Sequence, residues 1–316
     1  MGREWATSSF DPSHATTADK LPDIELSFTS GRQRQQPGER NRMTVISPEQ
    51  RLFPQLPGMV SYTYRNDFAK DLGTTLDEIK QLGITDMEFS STFGHPAERI
   101  RQELDDRGME CSSYGVGYVD LQNSLRKVIA DASMLGASFV RVAWLPHQAP
   151  FGLVQAEEAV LAFNRAGQVL RDRGLTFCYH NHGYEFAPHD SGTLFDLIVQ
   201  RTNPDAVSFE LDVLWAHFPG QDPAQLLDRY PERFRLMHLK DLRRGIVGDL
   251  TGHTAPENDV ALGEGQLDLP RILRSARDTR IDHYYIEDES PDFAQQVPRS
   301  LAYLASLSRS RVTVAP

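Results

Sequence analysis

Residues 156–182, AEEAVLAFNRAGQVLRDRGLTFCYHNH, contain the pattern that decides the fold. In the first part of this run, apolar residues such as Val160 and Phe163 recur at loose helical spacing, which predicts a helix. Gly174 stands where a helix ends in the left-handed conformation, and the apolar run LTFCYHNH that follows (175–182) predicts a strand. A helix, a glycine and a strand in this order are typical of one β/α unit.

The same order of elements recurs along the chain. Gly83, Gly108 and Gly136 also follow helical segments and precede apolar runs. The predicted strands are 59–64, 84–89, 109–116, 138–144, 175–182, 207–212, 234–240 and 283–289. Strands separated by helices in this way predict a closed parallel (β/α)8 barrel, the TIM barrel. An open, doubly wound sheet has a similar periodicity, but the chain lacks the GxGxxG and GxxxxGK[ST] motifs that bind nucleotides on such sheets.

Composition divides the chain into two regions. Residues 1–46 include the polar run TSGRQRQQPGERNR without periodicity, which predicts a disordered tail. Met43 opens the following stretch, so a start codon assigned too early is an alternative origin for this tail. Residues 47–316 are predicted to form a single barrel domain, because α/β barrels commonly reach about 250 residues as one domain.

Charge and composition disfavour several classes of function. The net charge of −11 makes nucleic acid a poor partner. No run approaches the roughly 18 apolar residues of a membrane span, and the N-terminus lacks the apolar core of a signal peptide. Cys111 and Cys178 lie in apolar runs without a CxxC pattern, which is typical of buried free thiols in a reducing compartment. These features predict a cytoplasmic protein without membrane or nucleic-acid partners.

Polar residues stand at the ends of four consecutive predicted strands, where a (β/α)8 barrel places its active site. The pairs are His180 and His182, Glu210 and Asp212, His238 and Lys240, and Glu287 and Glu289. Side chains alternate along a strand, so the apolar Leu211 and Leu239 between them face the helices and the polar pairs face the barrel axis. Converging imidazoles and carboxylates suit a divalent cation such as Mn²⁺, Zn²⁺, Co²⁺ or Fe²⁺. A single strand-end histidine is more often a satisfied core residue; the repetition over four strands favours a metal site.

These strand ends carry a family resemblance. YHNHGYEF (179–186), FELDVLW (209–215), HLKD (238–241) and YIEDE (285–289) resemble the xylose-isomerase-like barrel superfamily of sugar and sugar-phosphate isomerases and epimerases. GITDMEFS on the second predicted strand and ALGEGQLDLPRIL after the seventh are also similar to that family, and the resemblance covers most of residues 58–310. It implies a xylose-isomerase-like barrel that acts on a small carbohydrate, and barrels of this type are often homodimers or homotetramers.

The resemblance also implies a ligand set for one divalent metal ion. Carried over position by position, the ligands are His180, Asp212, His238 and Glu287. Mn²⁺ is the first expectation, with Zn²⁺, Co²⁺, Fe²⁺ and Mg²⁺ as alternatives. One position departs from the family, because a Glu usually stands where this chain has His180. In the epimerases of the family, the carboxylates of strands five and eight are the two proton-transfer groups, so this departure puts two-base epimerisation in doubt.

Two reactions are compatible with this ligand set. The first is isomerisation or epimerisation of a sugar by proton abstraction next to a carbonyl, through a metal-stabilised enediolate. The second is a lyase or hydrolase reaction, in which the same enediolate of a 3-keto-glycoside expels a leaving group at the β-carbon. Glu287 is the first candidate base, His182 is a second, and Lys240 is placed to stabilise oxyanion charge or to shuttle a proton. Lys240 pairing with Glu210 or Asp241 is the structural alternative.

Other residues are candidates for binding the substrate. Trp144 and Trp215 stand at strand ends and could stack on a pyranose ring, or simply pack. Glu185 is a candidate acceptor that orients a ligating imidazole, or else a surface acid. Tyr62, Glu88 and His95, at the ends of the first two strands, are expected to line the far side of the pocket.

Two further functions are compatible with the barrel alone. An endonuclease on this barrel would need more zinc ligands and a basic face, and the charge of −11 argues against it. A binding protein on an inactive barrel would have broken ligand positions, whereas all four positions here hold competent ligands.

Overall fold

Eight parallel strands close into a barrel in the computed structural model, which describes residues 52, 53 and 55–307. The barrel strands are β1 Gly58–Val60, β2 Asp86–Phe89, β3 Glu110–Gly115, β4 Phe139–Val142, β5 Thr176–His180, β6 Val207–Asp212, β7 Phe234–Leu239 and β8 His283–Ile286. Each strand pairs in parallel with the strands before and after it, and β1 pairs with β8 to close the barrel. The predicted (β/α)8 fold is therefore confirmed.

Helices connect the strands and cover the barrel. They are α1 Arg65–Phe68, α2 Leu72–Gln81, α3 Ala97–Asp105, α4 Tyr118–Asn123, α5 Leu125–Leu135, α6 Leu153–Arg171, α7 Leu194–Arg201, α8 Val213–His217, α9 Pro223–Arg229, α10 Leu269–Ala276 and α11 Phe293–Leu307. A short antiparallel hairpin, Pro188–His189 with Gly192–Thr193, precedes α7.

The run that predicted the fold shows how one unit is built. α6 buries its apolar face, including Val160 and Phe163, against the barrel. Gly167 lies where a Cβ atom would be 2.3 Å from the carbonyl oxygen of Ala206, so only glycine allows this close approach. Gly174 ends the segment at a φ of 75°, as the sequence predicted, and β5 follows.

Most of the predicted strands are shorter than expected, and three of them show it clearly. The predicted strand 59–64 ends at Val60 and continues as a 3-10 helix over Ser61–Tyr64. The predicted strands 175–182 and 283–289 end at His180 and Ile286. At the last two of these ends, backbone N–H groups beyond the strand donate to side chains instead of a neighbouring strand: His182 to Glu185, and Glu289 to Asp259.

The barrel interior is built in layers. The apolar layer consists of Val60, Phe139, Cys178, Leu236 and Tyr285, which form a cluster of their own inside the barrel. Two residues further along β4, β5 and β7, and two residues after Tyr285, the inward side chains become polar. Cys178 and Cys111 are free and buried, as predicted.

Other expectations concern the termini and membranes. The predicted disordered tail, residues 1–46, lies outside the described residues. None of the described helices combines the length and the apolar character that crossing a membrane requires.

Candidate active site

A cavity of about 360 Å³ opens at the C-terminal ends of the strands. Its lining includes eight of the residues singled out from the sequence: Tyr62, Trp144, His180, His182, Trp215, His238, Glu287 and Glu289. The predicted location of the site at this end of the barrel agrees with the general rule for TIM-barrel enzymes.

Three predicted metal ligands form a buried cluster, which we call the ligand triad: His180, Asp212 and His238. One potential ligand atom from each lies within 4.8 Å of the other two. Asp212 Oδ2 is 3.7 Å from His180 Nε2 and 3.8 Å from His238 Nδ1. Neither His180 Nε2 nor Asp212 Oδ2 has a hydrogen-bond partner, although both are buried. Buried polar atoms without partners are costly, and a divalent cation between them would satisfy both.

The two carboxylate oxygens of Asp212 have different roles: one caps helix α8 and the other belongs to the ligand triad. Its Oδ1 accepts a hydrogen bond from the backbone N–H of Trp215 at 2.8 Å, which caps the N-terminus of α8. Its Oδ2 is the atom that faces the two imidazoles. The cap therefore fixes the direction in which the carboxylate presents its other oxygen.

Burial and neighbouring charges set the protonation of the ligand triad. Burial lowers the pKa of His180 well below its ordinary value. Burial raises the pKa of Asp212 to about 7, against the charges of Lys240 and His238. Burial would also lower the pKa of His238, but Glu210 and Glu88 hold it well above its ordinary value. Metal binding to His238 is therefore expected to release a proton.

Glu287, the fourth predicted ligand, adjoins the ligand triad at the cavity wall. Its Oε2 is 3.1 Å from His238 Nδ1 and 3.1 Å from Lys240 Nζ. Burial would raise the pKa of Glu287, but the charges of Lys240 and His238 hold it well below its ordinary value. Glu287 is thus a carboxylate in position to complete a ligand set.

Lys240 is buried beneath carboxylates and is not part of the cavity lining. Its Nζ is 2.7 Å from Glu289 Oε1, 3.1 Å from Glu287 Oε2 and 3.5 Å from Asp259 Oδ2. Its partners are therefore these three carboxylates and not Glu210 or Asp241, the partners considered from the sequence. Burial would lower the pKa of Lys240, but Asp259 and Glu287 raise it well above its ordinary value. The ammonium group compensates the acids around it.

His182 lies between two tryptophan rings at the cavity. Its ring stacks on Trp215 with a centroid distance of 5.7 Å and meets Trp144 edge-on at 5.4 Å. The Nδ1 atom is buried without a hydrogen-bond partner. Burial lowers the pKa of His182 to about 3, so the ring is neutral at neutral pH and Nδ1 is a free acceptor.

Three residues predicted to bind substrate lie elsewhere. Glu185 is fully buried, and it accepts hydrogen bonds from the backbone N–H groups of His182 at 3.0 Å and Gly183 at 2.8 Å, so it fixes a turn and does not orient an imidazole. His95 bonds the carbonyl oxygen of Phe68 at 2.9 Å, outside the cavity lining. Glu88 lies deeper in the barrel, within 2.8 Å of His238 Nε2. None of these three residues lines the cavity in which a substrate is expected to bind.

The cavity lining also contains residues that were not predicted, among them the ionisable side chains of Arg141 and His253. Arg141 lies on β4, where its guanidinium meets the carboxylates of Glu88 and Glu210. An arginine inside the apolar run SFVRVAW was a signal that could have identified it. His253 lies in the long connection between β7 and α10, with its ring 5.1 Å from that of Trp144, and no pattern marked it.

Known proteins resemble this chain in sequence and structure. It is 25% identical over 227 residues to an inosose dehydratase of Geobacillus kaustophilus, which covers 63% of this chain and 73% of that protein. A sugar phosphate isomerase/epimerase of Parabacteroides distasonis superposes with a TM-score of 0.66 at 24% identity, over 79% of this chain and 95% of that one. The IOLI protein with a bound zinc atom superposes with a TM-score of 0.63 at 14% identity, over 81% of this chain and 96% of that one.

The family model of the xylose isomerase-like TIM barrel matches residues 76–307. This match spans most of the described barrel. The chain belongs to the xylose isomerase-like TIM barrel family.

Proposed function

We propose that this protein is a divalent-metal-dependent carbon–oxygen lyase that acts on a keto sugar or keto polyol by β-elimination. The observation that carries the proposal is His180 at the end of β5. Its Nδ1 is 3.0 Å from Glu210 Oε2, and its Nε2 faces Asp212 at the proposed metal site. Neither ring nitrogen is therefore available to transfer a proton to or from a substrate. Opposite Glu287, where two-base epimerisation needs a second proton-transferring carboxylate, the chain therefore has an imidazole whose Nδ1 contacts Glu210 and whose unpaired Nε2 would bind the metal.

Isomerisation or epimerisation, the first expectation from the sequence, is the weaker of the two reactions. Epimerisation with two bases needs a proton-transfer group on each face of the substrate, and His180 does not provide one. The similarity to an inosose dehydratase supports elimination of water, which is a lyase reaction. The shared barrel with a sugar phosphate isomerase/epimerase supports the fold alone.

The ligand triad and Glu287 would hold the metal ion. Two imidazoles and two carboxylates suit Mn²⁺, Zn²⁺, Co²⁺ or Fe²⁺, and less so Mg²⁺, which prefers oxygen ligands. When bound, the ion supplies a Lewis acid that polarises a substrate carbonyl.

His182 is the residue placed to move the proton. Its unpaired Nδ1 accepts the proton from the carbon next to the carbonyl. The bond between the β-carbon and its oxygen then breaks, and the same proton passes from His182 to the departing oxygen as water or an alcohol. Trp144 and Trp215, on either side of His182, hold the ring of the substrate against it. Elimination thus needs one proton-transfer group where two-base epimerisation needs two.

The charges near the cavity favour an uncharged substrate. Lys240 is surrounded by Glu287, Glu289 and Asp259. Arg141 is paired with two buried carboxylates. Because both cations are already compensated, the described part of the cavity offers no lysine or arginine for a phosphate group. An inosose or a 3-keto-glycoside fits this requirement.

The test follows product formation by NMR in heavy water. The protein is loaded with Mn²⁺ or Zn²⁺ and given an inosose, 3-keto-glucosides and ketohexoses, and the metal is removed by chelation before spectra are recorded. We expect metal-dependent loss of water from the inosose or of the aglycone from a 3-keto-glucoside. Deuterium at the carbon next to the carbonyl, with an intact skeleton and inverted configuration, would show an epimerase instead. No turnover together with no bound metal would reject both reactions.

A further inference from the structure

Beneath the ligand triad lies a second charged cluster, centred on Arg141. The side chain of Arg141 is 5% exposed, and its Nη2 is 2.6 Å from Glu88 Oε1. Its Nε is 3.3 Å from Glu210 Oε2. Glu88 and Glu210 are both fully buried, and we call them the carboxylate pair. One arginine therefore compensates two buried acids.

The carboxylate pair has the geometry of a metal site. Ligand atoms of Glu88, Glu210 and His238 lie within 4.8 Å of one another. His238 belongs to both groups, with Nδ1 on the side of Asp212 and Nε2 on the side of Glu88. The guanidinium of Arg141 contacts both carboxylates of this second group, so a positive charge is already in place.

The carboxylate pair also contacts both imidazoles of the ligand triad, and Glu210 Oε2 lies 3.3 Å from His238 Nε2 in addition to its contact with His180. Glu88 Oε1 is 2.8 Å from His238 Nε2, and Glu210 Oε2 is 3.0 Å from His180 Nδ1. Glu88 also accepts hydrogen bonds from Ser113 Oγ at 2.6 Å and Arg141 Nη2 at 2.6 Å, so this carboxylate is an acceptor. An imidazole that donates from one nitrogen presents the lone pair of the other to a metal. The nitrogens left for a metal are His238 Nδ1 and His180 Nε2, the two that face Asp212.

We infer that Arg141 is a positioning residue with two effects, given the metal centre proposed above. It holds the carboxylate pair so that Glu88 and Glu210 fix the tautomers of His238 and His180. It also occupies the place of a second metal ion, so the site binds one ion and not two. A guanidinium suits this position because its planar fork can contact two carboxylates and it does not lose its proton.

Metal stoichiometry tests this inference without measuring activity. Purified wild-type, Arg141→Met, Arg141→Lys and Arg235→Met proteins are dialysed against Zn²⁺ alone, and bound zinc is measured per folded chain. Arg235 is the matched control, because it lies on β7 and pairs with Asp282 away from the cavity. We expect one zinc in the wild type, in Arg141→Lys and in the control. In Arg141→Met we expect two, with the affinity for the first lowered about 10- to 100-fold.

Each outcome has a defined meaning. A folded Arg141→Met protein that binds one zinc with wild-type affinity overturns the inference. Two zinc ions in the wild type also overturn it. No zinc in the wild type rejects the proposed metal centre itself, which is a separate failure. The double variant Arg141→Met with Glu88→Gln should bind one zinc again if the second ion lies at the carboxylate pair.

A second measurement on the wild type covers the case in which Arg141→Met does not fold. ¹⁵N NMR of the zinc-loaded protein reports which imidazole nitrogen carries the proton. We expect the proton on Nδ1 of His180 and on Nε2 of His238. In Arg141→Lys, a mixture of tautomers for either ring is expected, because a single ammonium cannot hold both carboxylates in the same fork. The opposite tautomer of either histidine in the wild type would overturn the inference.

Discussion

Two layers of the barrel interior, two residues apart along the chain, have opposite chemistry. The apolar layer is formed by Val60, Phe139, Cys178, Leu236 and Tyr285. Two positions later in the chain, Arg141, His180, His238 and Glu287 carry charge or metal-binding nitrogen atoms in a similarly buried setting. Successive inward-facing positions on a strand are two residues apart. In each of these four β/α units, the interior therefore changes from apolar core to polar site between one inward-facing position and the next.

The difference shows what each layer contributes. Burying the apolar layer removes hydrocarbon from water and stabilises the fold. The polar layer buries carboxylates and imidazoles, which costs free energy unless each group has a partner. Arg141 and Lys240 provide many of these partners. Among the buried atoms that have no hydrogen-bond partner, His180 Nε2 and Asp212 Oδ2 face each other where a metal would bind. Part of the free-energy cost of burying polar atoms without partners is thus located at the proposed metal site.

Breaking the polar layer at Asp212 should have the largest effect. Asp212→Asn keeps an oxygen to cap α8 but removes the anionic Oδ2. We expect bound metal to fall below about a tenth of an equivalent and turnover to fall more than about 1,000-fold, a barrier increase of about 4 kcal/mol. The metal-free variant should unfold at the same urea concentration as the metal-free wild type. Elemental analysis and turnover measurements check this; full metal content in the variant would contradict it.

Removing the proton acceptor above the polar layer should have the next largest effect. His182→Phe keeps an aromatic ring between Trp144 and Trp215 but has no ring nitrogen. We expect turnover to fall about 100- to 10,000-fold while one equivalent of metal remains bound. His147→Phe is the control, since His147 stacks on Trp144 and bonds the Leu145 carbonyl outside the cavity lining. Equal activity of the two variants would show that His182 does not transfer the proton.

Breaking the apolar layer should change stability and leave the metal site intact. Leu236→Ala opens a cavity two residues before His238 on β7, and we expect the free energy of unfolding to fall by about 2–5 kcal/mol. Metal content per folded molecule should stay at one equivalent. Urea unfolding and elemental analysis measure the two effects separately. Val247→Ala is the control, because Val247 is 92% exposed and should change stability by less than about 0.5 kcal/mol. Loss of metal in folded Leu236→Ala would show that the layers are not independent.

The buried acid Glu185, which belongs to neither layer, should produce the smallest effect. Burial raises its pKa from 4.5 to about 7 in the folded chain. Between these pH values the folded state holds a proton that the unfolded state has lost, so the free energy of unfolding decreases as pH rises through this window. The share of Glu185 is roughly 3 kcal/mol. Urea unfolding at pH 4.5 and pH 8 should show a smaller decrease for Glu185→Gln than for the wild type.

The control for this pH dependence is Glu264→Gln. Glu264 is half exposed in a surface ion pair with Arg299, so its removal should leave the pH dependence of unfolding as in the wild type. The same decrease with pH in Glu185→Gln and the wild type would contradict the assigned role of burial at Glu185.

The sequence predicted the barrel and the strand ends because both depend on local periodicity. Helical spacing, glycines at helix ends and apolar runs identify β/α units, and alternation along strands places His180, Asp212 and His238 on one side. The partners of Lys240 were not predictable in this way. Asp259 and the residues after β8 reach Lys240 through loop conformations that no spacing rule describes.

Other misassignments have the same physical origin. Glu185 follows the histidines so closely that a contact with an imidazole was expected, yet the turn at Gly183 brings backbone N–H groups to its carboxylate first. Arg141 depends on Glu88 and Glu210, which are far from it in sequence and meet only inside the closed barrel. Contacts that require barrel closure cannot be read from one strand at a time.

The double role of Asp212 has a consequence for redesigning the substrate range. One oxygen of this carboxylate holds the backbone of Trp215, and the other faces the ligand triad. The contact to Trp215 uses its backbone N–H, so it survives any change of side chain other than proline. The indole of Trp215 can therefore be exchanged for a smaller or a polar group while the wall of the cavity keeps its distance from the metal ligands. Residue 215 is thus a position at which the substrate range can be varied separately from metal binding, with the stacking on His182 changing alongside it.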